Sequence, residues 1–494
     1  MQKKALIVGT GLGGLTTALR LSRNGYQVEM VEKYKQAGGR LNQLVKDGFT
    51  FDLAPSFFSM SYEFKEFVDY CGIEMPFKFI ELDPLYSVNF AGSDRNYLIY
   101  KDIAKLANEF KGIEPDFEAK MSKFLKKAGT LFHDTEGKVI RKNFNSLPHF
   151  LATLATVPMR HAPLMLRSMW SELNRHFCSY EVKVIFSLVA FFLGATPFDT
   201  PAVYSLLTYT ELVHDGYHNV EGGMYQIVVG MLKELEKANI NITYHTEIVG
   251  FEEKQGALSA LIDQNGKRWE ADLFVINSDA AFFRGKVFNR KKFSDEKLDK
   301  QKWTLAPFTM YLGVKGKIEK MAHHNYYLRH NFEEYAGKVF KNSISLKQPY
   351  YYVNASSKSN PNTAPEGHEN LFVLCPVPDL RYKPDWSDRE QLADDIMADL
   401  SERVGFDIKG NLVTKTIIDP VDWQNMFNLY KGSGLGLAHD LNQIGAFRPK
   451  NTDEVFENVF YVGSSTVPGT GLPMAVISSK LATEQIVKRY GTIR

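Results

Sequence analysis

Apolar residues come in two textures along this chain, short strand-like runs and longer helix-like stretches, and their order predicts a fold. Ala5-Leu6-Ile7-Val8 reads as a short buried strand, Leu12 to Asn24 as the helix after it, and Gln27 to Glu32 as a second strand. Residues 62–135 mix short helical patterns with strands such as Tyr97 to Tyr100. From Leu147 to about Gly216 the pattern becomes one of long apolar helices, punctuated by Pro148, Pro158, Pro163, Pro197 and Pro201. Strand texture returns at 240–279. Residues 303–420 alternate strands (309–314 and 370–378) with one charged helix near Asp388 to Val404. Val459 to Gly463 predicts a last buried strand and Ala475 to Lys488 a last helix. The same nucleotide-fold texture therefore occurs at the start, middle and end. This predicts an α/β protein whose Rossmann-like domain is assembled from 1–70, 217–295 and 431–494. A mixed α+β substrate domain would be built from 71–216, its helical cap included, and 296–430.

Composition narrows the function classes. The 494 residues carry 59 Lys+Arg against 57 Asp+Glu, a balance that argues against a nucleic-acid partner. Cys71, Cys178 and Cys375 are far apart and form no Cys-x-x-Cys pair, so buried thiols in a reducing cytoplasm are expected. The longest apolar stretch, Val184 to Ala195, falls short of the roughly 20 residues a spanning helix needs. With no secretory pattern at Lys3-Lys4, the expectation is a protein neither exported nor spanning a bilayer. Phe (35), Tyr (24) and Trp (5) are plentiful, and that bulk has to line something.

The candidate chemistry sits at strand ends. Gly9-Thr10-Gly11-Leu12-Gly13-Gly14 fits GxGxxG between a strand and a helix, the context in which the glycines let a backbone approach a pyrophosphate. Glu32 ends the second strand, where a carboxylate can hold ribose hydroxyls. FAD and NAD share this fingerprint. Gly38-Gly39-Arg40 then offers backbone N–H groups and a guanidinium to a second face of the pyrophosphate, which favours FAD. Far downstream, Phe460 to Ser465 runs from a strand into a small-residue turn. Pro468-Gly469-Thr470-Gly471-Leu472-Pro473-Met474-Ala475 leads into a helix N-terminus suited to a flavin. No nucleophile triad, metal motif or carboxylate pair is evident, and His323-His324 read as surface residues.

The paired motifs resemble the GG-motif flavoproteins, and residues 460–482 resemble the signature of the bacterial carotenoid desaturases of the phytoene-desaturase type. Further matches are Glu221 to Met224, Ile276 to Asp279, Tyr352 to Asn354, Ala364 to Asn370, Leu437, Gln443 and Phe447-Arg448-Pro449, so the resemblance covers essentially the whole chain. It implies that FAD contacts Gly9, Gly11, Gly13, Gly14, Glu32, Lys33, Gly39, Arg40 and Leu41. Pro55-Ser56 would lie beside the ring, Ile248 at the adenine, and Gly463, Ser464, Leu472, Pro473 and Met474 at the ribityl and ring end. It also implies desaturation of a long apolar carotenoid, with the flavin reoxidised by oxygen or a quinone. Leu53, where the family usually has Gly, and the Gly-Leu-Pro-Met-Ala run depart from the pattern of phytoene enzymes. The latter leans the expectation towards a late-pathway hydroxycarotenoid 3,4-desaturase. The alternatives are a carotenoid cis–trans isomerase using reduced flavin, an amine or porphyrinogen oxidase, and a non-enzymatic prenyl-lipid escort.

Residues 147–216 are then the expected substrate side. Residues 146–177, rich in Leu, Met, Phe and Trp with arginines among them, are expected to lie peripherally on the cytoplasmic side of a membrane; the alternative is a buried helical cap on a tunnel. Phe186, Phe191, Phe192, Leu206 and Leu207 are the candidate tunnel residues.

Overall fold

The computed structural model describes residues 2–493 apart from 145, 340–345, 347 and 441; the side chain of Phe192 also lies outside the described residues. A five-stranded parallel sheet runs in the order Val459–Tyr461, Leu273–Ile276, Lys4–Val8, Gln27–Val31, Asn241–Thr243. Its strands come from three separated stretches of chain. Ala5, Ile7, Leu273 and Val275 pack against one cluster of core residues, while Leu6, Val8, Phe274 and Ile276 pack against another. Burial on both faces is what makes these strands unbroken apolar runs.

The second layer is a seven-stranded sheet in the order Leu412–Ile418, Ala306–Lys315, His368–Val377, Tyr351–Asn354, His324–Leu328, Tyr86–Phe90, Asn96–Ile99. Its neighbours are antiparallel except His324–Leu328 beside Tyr86–Phe90. Strand alternation gives the sheet two apolar faces. Phe308, Met310, Leu312, Leu371 and Val373 pack on the helix Arg389–Val404 through Leu392, Ile396 and Leu400. Tyr326, Leu328, Tyr352, Phe372 and Leu374 face a cavity.

Three expectations need correction. The apolar region 147–216 is not built of long helices. It breaks into Leu147–Ala155, Ala162–Leu166, Met169–Asn174, Tyr180–Ser187 and short 3-10 and π turns. Proline accounts for much of this: it supplies no N–H to a helix interior, so Pro148 and Pro163 sit in first turns and Pro158 and Pro201 precede turns. Cys178 is exposed, whereas Cys71 and Cys375 are buried. His323 and His324 are buried, because the loop 355–363 covers one and the turn at Phe57 covers the other. Among the described residues no helix is long and apolar enough to cross a membrane.

Candidate functional site

The carboxyl ends of four parallel strands converge on one edge, delivering Gly9, Glu32, Asn277 and Gly463 to a common opening. This is the edge at which open parallel sheets bind ligands. Gly9 adopts φ +92°, and its N–H donates to the Val31 carbonyl at 2.8 Å, which turns the chain tightly into the helix Leu12–Arg23. That helix has no side-chain cap at Gly11, so its N-terminal amides are available to an anion.

Asn277, to which the sequence motifs assign no role, organises the glycines. A Cβ at Gly11 or Gly13 would lie 2.8 Å from its side-chain amide, and one at Gly14 or Gly463 would lie 3.0 Å away. Four glycines from two distant loops thus close around a single amide, whose Nδ2 donates to the Gly9 carbonyl at 3.4 Å. Gly14 does not line the cavity; its hydrogen faces the Gly9 carbonyl, where a methyl would overlap the oxygen. Its task is close packing of helix on strand.

The other residues expected at the cofactor line one cavity of about 950 Å³. They are Gly9, Gly11, Gly13, Glu32, Lys33, Gly39, Arg40, Leu41, Pro55, Ser56, Ile248, Gly463, Ser464, Leu472, Pro473 and Met474. Glu32 accepts from the Thr10 amide at 2.9 Å and from the Tyr34 amide at 3.0 Å. Lys33 pairs with Glu247 at 2.9 Å, and Thr246 and Ile248 complete this end. Gly39 packs on Gly11: a Cβ there would come 3.3 Å from the Gly11 Cα.

Arg40 lines the cavity and also ties its walls together. Its guanidinium donates to the Gly434 carbonyl at 2.8 Å and to the Ser464 hydroxyl, tying the Gly-Gly turn to the C-terminal turn. Burial lowers its pKa, and the nearby Asp279 carboxylate opposes that. Asp279 in turn accepts from Ser465 Oγ at 2.8 Å and from the Phe282 amide at 2.8 Å. The helix Leu472–Tyr490 begins at this turn, again without a side-chain cap, and its N-terminus favours negative charge.

Asp52, just before the Pro55-Ser56 turn, ties the incoming chain to the start of the helix Gln226–Lys237. Its carboxylate accepts from the Met224 amide at 2.8 Å, and burial pushes its pKa up to about 7. Tyr352 donates to Ser56 Oγ at 3.0 Å, and His324 Nδ1 lies 2.6 Å from the same phenol. His324 stacks on Phe57 at 4.0 Å, so the turn is buttressed by the cavity face of the seven-stranded sheet. Burial depresses the pKa of both His323, to about 3, and His324, keeping them neutral. His439 Nδ1 lies 3.2 Å from the Leu193 carbonyl and its Nε2 accepts from the Thr470 amide at 3.4 Å; burial, with Arg448 nearby, depresses its pKa to about 3.

A loop-rich opening with two uncapped helix N-termini, glycine cradles and an acid at the second strand fits a dinucleotide with two phosphates and a ring system. A family model for flavin containing amine oxidoreductases matches residues 12–487. The chain belongs to that family. It is therefore a flavin oxidoreductase, and its cofactor is FAD. The zeta-carotene-forming phytoene desaturase of Myxococcus xanthus is 30% identical over 493 residues, 98% of this chain and 94% of that protein. The carotenoid 3,4-desaturase of Haloarcula japonica is 28% identical over 98% of this chain and 97% of its own length. Among solved structures, wild-type putrescine oxidase bound to putrescine superposes with TM-score 0.65 at 14% identity, covering 99% of this chain and 100% of that one. This last likeness shows the shared fold.

Away from the dinucleotide end the flavin oxidoreductase cavity becomes apolar and aromatic. Leu131, Phe132, Phe191, Leu206 and Leu207 line it on the cap side, and Tyr326, Leu328, Phe332, Tyr352 and Phe372 on the sheet side. Phe186 does not: it packs against Phe110 and Phe117 in the core. The cavity reaches the cap at Leu154, Val157, Met159 and Met165. There Met159 is 81% and Leu166 89% exposed.

Proposed function

We propose that this flavin oxidoreductase desaturates a carotenoid: a hydride leaves one carbon beside the polyene, a proton leaves its neighbour, and a new C=C forms. The observation that carries the reading is the continuous apolar cavity joining the cap to the flavin turns at Ser56, Ser464 and Pro473. A polar amine needs no such length of hydrocarbon lining. The desaturases of similar length and sequence support the same chemistry. FAD supplies the two-electron acceptor when bound. The protein's residues do the rest. Tyr352 fixes the Ser56 turn, Phe57 and the sheet tyrosines hold the polyene flat against it, and the apolar lining excludes water.

The finer reading is late-pathway 3,4-desaturation of a hydroxycarotenoid, supported by the Pro473-Met474-Ala475 run and by the Haloarcula relative. We further read the cap as a lipid foothold on the cytoplasmic face of a membrane. Leu147, Leu151, Met159 and Leu166 are exposed on the cap around the cavity mouth, an apolar surface fit for a lipid interface. A carotenoid would then pass from bilayer to cavity without crossing water, and oxygen or a membrane quinone would reoxidise the flavin.

The test is incubation of holoprotein in lipid vesicles with phytoene, lycopene and hydroxylated acyclic carotenoids, followed by absorption and product mass. Desaturation lengthens the chromophore and removes two hydrogens per new double bond. An isomerase would leave the mass unchanged.

A further inference from the structure

Glu211 is the one carboxyl of the substrate-side cavity wall among the described residues; the other acids lining the cavity, Glu32, Glu247 and Asp279, lie at the dinucleotide and flavin turns. It is 2% exposed, and no Lys, Arg or His among the described residues lies within ion-pair distance of it. Neither of its oxygens makes a hydrogen bond of ordinary geometry, and the same holds for the buried Tyr326 hydroxyl nearby on the cavity face of the sheet. Burial pushes its pKa up to about 8, which favours the neutral acid, against the weaker pull of the Tyr86 and Tyr217 phenols that point towards it outside ordinary hydrogen-bond geometry. The π-helical turn Thr210–His214 carries it, an irregularity that recurs at functional sites. Tyr217 packs on Phe57 at 5.0 Å, which puts this polar patch one aromatic layer from the Ser56 turn.

A pure hydrocarbon offers such groups nothing, and leaving buried donors and acceptors unmet is costly. We propose that Glu211 and Tyr326 anchor a hydroxyl group carried by the polyene close to the bond that is oxidised. The inference rests on the desaturase reading in its hydroxycarotenoid form and deepens it by assigning the residues that hold the hydroxyl of an acyclic carotenoid. A neutral carboxyl both donates and accepts, as a hydroxyl does, so the pair satisfies itself inside an apolar wall. A site built this way rejects the analogue lacking the hydroxyl far more strongly than an apolar pocket rejects a missing methylene.

The test titrates holoenzyme in detergent micelles with a hydroxylated acyclic carotenoid and with lycopene, reading tryptophan quenching for affinity and then KM and kcat. Wild type should bind the hydroxylated compound at least about tenfold more tightly. Glu211→Leu should bring the two affinities within about twofold by weakening only the hydroxylated one, and Tyr326→Phe should narrow the gap part-way. Glu211→Gln, which keeps a donor and an acceptor, should retain most of the preference. It also serves as the readout if the leucine variant fails to hold flavin. Equal affinities in wild type would overturn the inference, as would an unchanged ratio in Glu211→Leu. So would a fall in kcat alone, equal for both substrates, which would mark a proton-transfer group. Tighter binding of a diamine than of either carotenoid would overturn it as well. Failure of wild type to desaturate any carotenoid would instead sink the broader reading.

Discussion

Replacing Asp52 by asparagine should make the protein's stability less dependent on pH, in an amount set by the burial of its carboxyl. Asp52 caps the N-terminal side of the helix Gln226–Lys237 through the Met224 and Tyr225 amides, and no cation among the described residues offsets its desolvation. Its pKa therefore rises from the ordinary 3.8 to about 7. A carboxyl whose folded pKa is raised contributes stability that is fully present below its unfolded pKa and is lost as pH climbs through the folded value. Linkage gives a loss of about 2 kcal/mol by pH 5 and about 4 kcal/mol by pH 8, taking about 1.4 kcal/mol per pH unit between the two pKa values. The Asp52→Asn side chain keeps an oxygen for the Met224 N–H and has no charge to gain. Between pH 5 and pH 8 the variant should therefore gain about 2 to 3 kcal/mol relative to wild type. Urea unfolding of holoprotein, followed by tryptophan fluorescence at both pH values, measures that difference. Parallel stabilities of the two proteins across this range would refute the reasoning, because they would mean that Asp52 is solvated or paired when folded.

Other outcomes follow from the same geometry. Gly14→Ala drives a methyl into the Gly9 carbonyl and against Asn277, so the purified variant should lose most of its bound FAD, measured as flavin absorbance per protein. Met159→Asp with Leu166→Asp places two charges at the exposed mouth of the cavity. Cosedimentation with anionic vesicles should fall at least about tenfold while flavin content stays at the wild-type level. Tyr352→Phe removes the hydroxyl shared by Ser56 and His324, and kcat/KM for the carotenoid should drop about three- to thirtyfold with folding retained, as judged by flavin content.

Local signals made the dinucleotide half legible. The strand Lys4–Val8, the helix Leu12–Arg23 and the strand Gln27–Val31 lie within two residues of the boundaries their apolar runs predict, because each run is buried on both faces by its own fold. The remote strands Leu273–Ile276 and Val459–Tyr461 were legible for the same reason. Asn277 was not. Its string is plain in the sequence, but its task depends on loops at 9–14 and 463 arriving from both sides. His323 and His324 misled because an adjacent pair diverges on a strand, and only the tertiary fold reveals that both directions are covered. Glu211 sits in an ordinary Thr-Glu-Leu run, and nothing local signals that Tyr86, Tyr217 and Tyr326 gather near it. The cap misled through length, since apolar content predicted helices that the prolines cut into short turns. What failed to show in the sequence is chiefly what two distant segments make together.

Mixing oxygen-free holoprotein in vesicles with a hydroxylated acyclic carotenoid tests the central claim most directly. The account predicts that the oxidised flavin absorbance bleaches while one carotenoid per flavin loses two hydrogens. Bleaching by an amine but by no carotenoid would contradict it, as would a carotenoid that changes shape but keeps its mass.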